Sequence, residues 1–455
     1  MNNNSKFLEF REKYDTFIYD KYEISYDEEN MNIKYYFNIP GLTWFYPQIK
    51  INKKYILNKN INNDYLEYMV FNIGLIELVS YFKCTCSPNV IIKAGYVNDE
   101  QIKWLKNLYF NGLGEFLYIN NISTTEEDLM NIVCECSEKV LPKLDYVGSG
   151  NLISVGGGKD SCVSLEILKN EEDNSCFIIN PKYPSLECSR VAGYSDEKIV
   201  CVNRVLDRKI VELNNLGYLN GHTPFSSIVA FISYLCCYLQ GRKNIVLSNE
   251  ASANEATVIG TNINHQYSKS YEFECDFNNY VNSYFGLDIH YFSLLRGISE
   301  FQIGRLFSNY RHYHSVFKSC NLGSKEKEWN WCCNCPKCLF VYIILSPFLY
   351  KEDLVNIFGS DLYEREDLLN TFKEILGYSD TKPFECVGTY SEARYAVSLL
   401  IEKLGHNNLP YLLKYYIDNY SLELDGSEII KYNEENNINS YYDALVRKEL
   451  DKYDK

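Results

Sequence analysis

The feature that most constrains this chain is the stretch Asn151-Leu-Ile-Ser-Val-Gly-Gly-Gly-Lys-Asp-Ser-Cys-Val-Ser-Leu-Glu166, an apolar run that passes through three glycines into a helical pattern. Leu152, Ile153 and Val155 have the character of a short buried strand, and Gly156, Gly157 and Gly158 allow a tight turn with backbone N–H groups pointing inward. Ser161 opens a helix whose apolar face is Val163, Leu165, Ile167 and Leu168, so the positive helix end faces the same space. The expectation is a cradle for an anion, set against a plain strand-turn-helix corner. The spacing is neither the G-x-x-x-x-G-K-[ST] of a Walker A loop nor the G-x-G-x-x-G of a dinucleotide fold.

After this loop, strands and helices alternate as they do in a parallel sheet. Residues 176–180, 198–202 and 244–248 are the predicted strands. The first ends at Asn180, and the last delivers Asn249 and Glu250 to the edge where open α/β sheets bind ligands. Ahead of the loop, residues 1–145 read as an α/β module. A strand over 31–39 ends at Pro40-Gly41, helical spacing runs over 65–82, and a strand over 89–93 precedes a helix from Asp99, its expected cap, to 110. The glycines at 112 and 114 suggest a turn into an extended segment, and Ser123-Thr-Thr-Glu126 suggests a capping box for a helix toward Val140. Thr223 and Pro224 are the expected cap and first residue of a further helix. The polar stretch 145–150 is the linker candidate, giving domains 1–145, 146–350 and a helical region 351–455.

Polar residues cluster on the expected ligand edge. Asn249, Glu250 and Asn254 lie in one segment and His265, Gln266 and Lys269 in the next, while Arg296 and Arg305 follow as candidates to meet an anionic substrate. A solvated loop or helix face is the plainer reading of both groups. Cys332, Cys335 and Cys338 form C-x₂-C-x₂-C, and Cys320 can complete a tetrahedral thiolate set of the kind that holds structural zinc. Buried thiols, or a redox-active pair with Cys333 as competitor, are the alternatives. The 17 cysteines form no disulfide framework and Met1-Asn-Asn-Asn-Ser-Lys lacks a signal-peptide core, so a reducing cytoplasmic location is expected. A formal net charge of −15 opposes a nucleic-acid footprint. The apolar runs 225–239 and 339–349 fall short of the roughly 20 residues a bilayer requires and read as core helices.

The glycine loop resembles the PP-loop of ATP pyrophosphatases, S-G-G-x-D-S, with Gly156 in place of the first serine and Gly157, Gly158, Asp160 and Ser161 matching. The resemblance implies a PP-loop-type parallel sheet flanked by helices, with ATP held by residues 156–161 and Asn180. It also implies that Lys159 belongs to the loop and that Asp160 helps to place Mg²⁺. Further segments extend the likeness: Gly112-Leu-Gly-Glu-Phe116, Gly221-His-Thr-Pro-Phe225, Ser248-Asn-Glu-Ala-Ser-Ala-Asn254, Asn264-His-Gln-Tyr-Ser-Lys-Ser270, Trp331 to Cys338, and Pro383-Phe-Glu-Cys-Val-Gly388. Together they look like the ATP-dependent UDP-N-acetylmuramoyl-L-alanyl-L-glutamate epimerase family of the MurL type.

That likeness implies inversion of the terminal L-glutamate of a UDP-muramoyl dipeptide, with ATP going to AMP and pyrophosphate. Adenylation removes the carboxylate charge that otherwise makes the α-proton very weakly acidic. Inversion then needs a base and an acid on opposite faces, for which His265, Lys269 and Glu250 are the candidates. Another adenylating enzyme resembling 7-cyano-7-deazaguanine synthase, a peptide-tailoring epimerase or thioamide-forming enzyme, or a non-catalytic nucleotide-binding protein remain alternatives. The partner expected is a small nucleotide-sugar dipeptide or other carboxylate, not nucleic acid or membrane; oligomeric state is not legible.

Overall fold

The computed structural model describes residues 3–254, 267–320, 322–323, 330–379, 382–385 and 387–453. Among them, the strands in chain order are β1 (Thr16–Tyr26), β2 (Asn30–Ile39), β3 (Thr43–Phe45), β4 (Gln48–Asn52), β5 (Asn89–Ile92), β6 (Asn131–Cys134), β7 (Asn151–Ser154), β8 (Asn174–Ile179), β9 (Ile199–Val205), β10 (Asn244–Leu247) and β11 (His290–Ser293). The chain divides into two compact units: Met1–Leu152, Val200–Ile245 and Ile263–His290 form the first, and Ile153–Ile199, Val246–Asn262 and Tyr291–Lys455 the second. The class is α/β, as the sequence suggests.

In the first unit the strand order is β9-β4-β2-β1-β5-β6, with β3 also on β2. It mixes directions: β2 runs antiparallel to β1 and β4, and β4 antiparallel to β9, whereas β1–β5 and β5–β6 are parallel. The hairpin between β1 and β2 is closed by the Asp27 carboxylate, which accepts from the N–H groups of Glu29 at 2.9 Å and Asn30 at 2.7 Å. Strict alternation along β2 buries Met31, Ile33, Tyr35, Phe37 and Ile39 on one face. The helix Asn63–Glu77 satisfies tyrosines buried among them: Tyr19 and Tyr35 donate to the carbonyls of Phe71 and Val70 at 3.3 and 3.2 Å. The abundance of tyrosine thus has partly a packing role, with buried rings whose hydroxyls find backbone acceptors.

Four local expectations are corrected here. The helix Asp99–Gly112 is capped by Asn98, whose side chain accepts from the Gln101 N–H at 2.9 Å while the Gln101 side chain accepts from the Asn98 N–H at 3.2 Å. The segment after Gly112 is a helix, Gly114–Ile119, rather than extended. Thr125 caps only the short helix Glu126–Leu129, because the next residues pair in parallel with β5 as β6. The helix expected to start at Pro224 begins one residue later, as Phe225–Gln240.

In the second unit the strand order is β11-β10-β7-β8, so β7 lies between β8 and β10. A strand at which the order turns from one side to the other is where open α/β sheets leave a ligand crevice at the strand's carboxyl end. The residues following β7 are those of the glycine loop. Helices Lys351–Phe358, Leu369–Ile375, Tyr390–Leu404, Tyr411–Asn419 and Ser440–Asp451 make up the helical C-terminal region. Among the described residues no helix is long and apolar enough to cross a membrane.

The alternation on β2 sets a test. Phe37, fully buried and 5.1 Å from the Tyr19 ring, should cost about 3–5 kcal/mol when replaced by alanine. Asn38→Ala on the opposite face should cost less than about 1 kcal/mol. The shift in urea midpoint at constant m-value measures both.

Candidate active site

After β7 the backbone turns at Gly157, which takes a φ of +87° and lies so close to its neighbours that a Cβ would stand 2.6 Å from the Ser185 amide nitrogen. At Gly156 a Cβ would meet no atom within 4 Å, so the loop opens on free space there. The helix Lys159–Leu168 follows with Gly158 as its N-cap, and no side chain caps it. Ser161 instead serves the loop: its hydroxyl donates to the Gly158 carbonyl at 2.9 Å and accepts from the Gly157 N–H at 3.2 Å. Open space before an uncapped helix N-terminus is the geometry that receives an anion.

Behind the loop sits a buried ion cluster. The Lys159 ammonium donates to the carboxylates of Asp160 and Glu300. The side chains of Lys159 and Glu300 are each 1% exposed, while that of Asp160 reaches the surface at 24%. Glu300 opens the helix Glu300–Asn309, capped by Ser299, and its own N–H donates to Glu392 Oε1 at 2.7 Å. Glu392 Oε2 accepts from the N–H and hydroxyl of Thr389 at 2.6 and 2.8 Å, so one carboxylate ties together the starts of Glu300–Asn309 and Tyr390–Leu404. Glu250, buried after β10, is a further electrostatic neighbour of both Glu300 and Glu392.

Two carboxylates therefore hold one ammonium, Glu250 and Glu392 lie beside Glu300 as further acids, and Lys337 is a second cation near Glu300. Burial pushes the Glu300 carboxyl up to about 8; Asp160 and Glu250 push in the same sense, against the pull of Lys159 and Lys337. Burial likewise raises Glu392 despite its hydrogen bonds from Thr389 and Glu300. Burial alone depresses Lys159, but Asp160 and Glu300 more than reverse it and keep the ammonium charged.

The other expected site residues are distributed as follows. Asn249 Nδ2 donates to Ser293 Oγ at 3.1 Å, at the ends of β10 and β11. Arg296 is fully buried, with Nη1 donating to the Glu250 carbonyl at 2.9 Å and Nη2 to Ser293 Oγ at 3.3 Å. Asn180 is exposed just past β8 in the left-handed region at φ +50°. Arg305 is half-buried five residues beyond Glu300, about 140° around the same helix. Lys269, half-buried in the short turn Tyr267–Lys269, belongs to the first unit. His265 and Gln266 lie outside the described residues, as does the side chain of Asn254. Thus the glycine loop, Asn249, Glu250 and Arg296 lie in the unit that holds the ion cluster.

Sequence reading missed Glu300 and Glu392. Thr389-Tyr-Ser-Glu392 carries the capping-box pattern, but that pattern reports a helix start and not a second helix held by the same carboxylate.

The four cysteines converge. The sulfurs of Cys320, Cys332, Cys335 and Cys338 all lie within 4.8 Å of one another, with Cys335–Cys338 at 3.4 Å, Cys332–Cys338 at 3.7 Å and Cys320–Cys335 at 4.0 Å. A tetrahedron of thiolates about 2.3 Å from a zinc ion has sulfurs about 3.8 Å apart, so the set can hold such a metal. Backbone N–H groups of Gly323 and Cys332 point at Cys320 Sγ from 3.1 and 3.4 Å, as suits a thiolate. Cys333 turns away and donates to the Phe358 carbonyl at 3.1 Å, which removes it as a competitor. The set also adjoins the loop: the Lys318 N–H donates to the Gly157 carbonyl at 2.8 Å, and a Cβ on Gly158 would stand 2.6 Å from Ser319 Oγ.

Two outcomes follow from this geometry. Protein reconstituted with Co²⁺ should show thiolate-to-cobalt absorption at about one ion per chain, lost in Cys320→Ser and retained in Cys333→Ser. Stability should fall as pH rises, because folding lifts the Glu300 carboxyl from 4.5 to about 8 and the folded chain then holds a proton that the unfolded chain has released. The contribution is complete below 4.5 and lost on approach to 8, so melting temperatures of Glu300→Gln should be flatter than wild type over that interval.

Models of the MurL N-terminal and C-terminal domains match residues 9–294 and 316–421. Similar chains include a UDP-N-acetyl-alpha-D-muramoyl-L-alanyl-L-glutamate epimerase of Xanthomonas oryzae pv. oryzae, 33% identical over 364 residues that cover 78% of this chain and 79% of that one. Proteins of the same name from Salinispora tropica and a Micromonospora species are 36% and 35% identical, covering 74% and 73% of this chain and 74% of each relative. No solved structure matches.

Proposed function

Because the chain belongs to the MurL family, we propose that it inverts the terminal L-glutamate of UDP-MurNAc-L-Ala-L-Glu, for peptidoglycan synthesis, after activating that carboxylate with ATP. The substrate is taken from the names of the relatives. What supports ATP as the activator is the buried cluster of Lys159, Asp160, Glu300 and Glu250 directly behind an open glycine loop.

In this reading the loop backbone and the uncapped end of Lys159–Leu168 hold the departing pyrophosphate. Gly156 contributes space rather than a hydroxyl, and Ser161 holds the loop in shape. Lys159 is too deeply buried to reach far; it fixes Asp160 and Glu300 relative to one another. Asp160, whose carboxylate reaches the surface, offers the hard oxygen donors that Mg²⁺ prefers. When bound, Mg²⁺ would neutralise phosphate charge as ATP is cleaved between its α and β phosphates. Arg296 acts through Glu250, whose carbonyl it grips. The cysteine set holds zinc as a structural ion, since four protein ligands leave no open position.

Once the carboxylate carries AMP, the α-proton leaves to a base, the electron pair delocalises into the acyl group, and a proton returns from the other face. Water then releases AMP.

The test is incubation with ATP, Mg²⁺ and UDP-MurNAc-L-Ala-L-Glu in D₂O. AMP, pyrophosphate and D-glutamate carrying α-deuterium should appear together, and Asp160→Asn should slow AMP release by about 100-fold or more at unchanged melting temperature. D-glutamate without AMP would leave the epimerase standing and remove ATP from its mechanism.

A further inference from the structure

The segment that leads into the cysteine set carries a hydroxyl to the glycine loop. Lys318 and Ser319 immediately precede Cys320, and their backbone is held from both sides. On one side the Lys318 N–H donates to the Gly157 carbonyl at 2.8 Å. On the other, Cys320 Sγ accepts from the N–H groups of Gly323 and Cys332 at 3.1 and 3.4 Å. Ser319 lies between these anchors, half-buried, with its hydroxyl turned to the loop. A Cβ built on Gly158 would stand 2.6 Å from Ser319 Oγ and 3.7 Å from Ser319 Cβ. Gly158 is the N-cap of the helix Lys159–Leu168, so the Ser319 hydroxyl occupies the side from which a cap residue's own side chain would start. All of these residues belong to the second unit.

Other hydroxyls around the loop are committed elsewhere. Ser161 joins the Gly158 carbonyl to the Gly157 N–H. Ser185, against which Gly157 packs, donates to the Lys182 carbonyl at 2.8 Å and accepts from the Lys182 N–H at 3.2 Å. Ser189 donates to the Ser185 carbonyl at 2.9 Å, and Ser164 and Ser248 share a hydrogen bond of 2.8 Å. The Ser154 hydroxyl, at the end of β7, is buried. Ser319 Oγ has no hydrogen-bond partner among the described residues. The first position of the loop brings no side chain of its own, since Gly156 opens on space in which a Cβ would meet nothing within 4 Å.

We propose that Ser319 is the side-chain donor of the phosphate cradle, giving its O–H to a pyrophosphate oxygen of ATP at the uncapped end of the helix Lys159–Leu168. The glycines supply backbone N–H groups and room, and the hydroxyl that Gly156 lacks arrives from a distant segment of the chain. An O–H donated to an ionised phosphate oxygen is charge-assisted and stronger than a bond between neutral groups. Because Ser319 is covalently joined to Cys320, the cysteine set holds this donor at the loop before the anion arrives, which lowers the ordering cost of binding. Ser319 forms no covalent bond and exchanges no proton in this role. The assignment rests on the ATP reading and deepens it.

The experiment is calorimetric titration of the full chain with inorganic pyrophosphate in the presence of Mg²⁺. Ser319→Ala should weaken binding by about tenfold or more, at unchanged melting temperature and unchanged cobalt absorption per chain. Gly158→Ala supplies the second measurement. Gly158 has φ −90° and ψ 176°, which alanine adopts without strain, so the added methyl acts by displacing the Ser319 hydroxyl. It should weaken pyrophosphate by a similar factor in the wild-type background. In Ser319→Ala, where only Ser319 Cβ remains at 3.7 Å, it should add less than about twofold. Wild-type affinity in Ser319→Ala overturns the proposal. So does an equal loss from Gly158→Ala in both backgrounds, which marks a direct effect of the methyl on the loop. Should Ser319→Ala melt early, Gly158→Ala decides alone, and wild-type affinity in that variant overturns the proposal. A wild-type chain that binds no pyrophosphate would instead sink the ATP reading, and the assignment with it.

Discussion

The second unit depends on the ammonium of Lys159. It contacts both Asp160 and Glu300, and its side chain and that of Glu300 are withdrawn from water. Even with that partner, burial and the neighbouring Asp160 and Glu250 push the Glu300 carboxyl up to about 8. The compensation is incomplete, since Glu250 and Glu392 bring further acidic groups to the same place. The fold accepts the excess by spending backbone donors on it: the N–H groups of Glu300 and Thr389 both point at Glu392. The helix starts are thus arranged around the charges, and the glycine loop inherits its position from that arrangement.

The cysteine set belongs to the same construction. Lys318 and Ser319, just before Cys320, adjoin the loop, and Lys337, between Cys335 and Cys338, acts electrostatically on Glu300. An ion bound by four thiolates would fix both segments at once, although they are separated by a stretch of sequence with little apolar content. Such a centre would add to apolar packing already in place there, where Phe317, Trp331 and Leu339 are buried.

Much of this was legible in the chain. The strand-glycine-helix order, the convergence of Cys320 with the C-x₂-C-x₂-C run, and the alternation of Met31 to Ile39 are local patterns whose period states their geometry. The glycine loop and Glu250 could be assigned to one edge because strand ends carry that information. Glu300 and Glu392 were not legible, because what joins them is a hydrogen bond across 92 residues and neither sits in a motif that names a partner. The segment after Gly112 was misread for a related reason. Its glycines suggested a turn, whereas Gly112 serves contact with Pro224 and the residues beyond it are free to form a helix. Short strands also defeat local reading: Asn131–Cys134 is a strand because β5 lies beside it.

The mutual insertion of Gly112 against Pro224 and Gly221 against Phe116 has a consequence for descent. A Cβ at position 112 would stand 2.6 Å from Pro224 Cγ and one at 221 would stand 3.0 Å from Phe116 Cδ2, so a change at one member of each pair favours a change at the other. Positions 112 and 224, and likewise 116 and 221, should behave as single inherited characters. A chimaera that joins the front half of one homologue to the back half of another would inherit mismatched counterparts wherever the parents have settled the exchange differently.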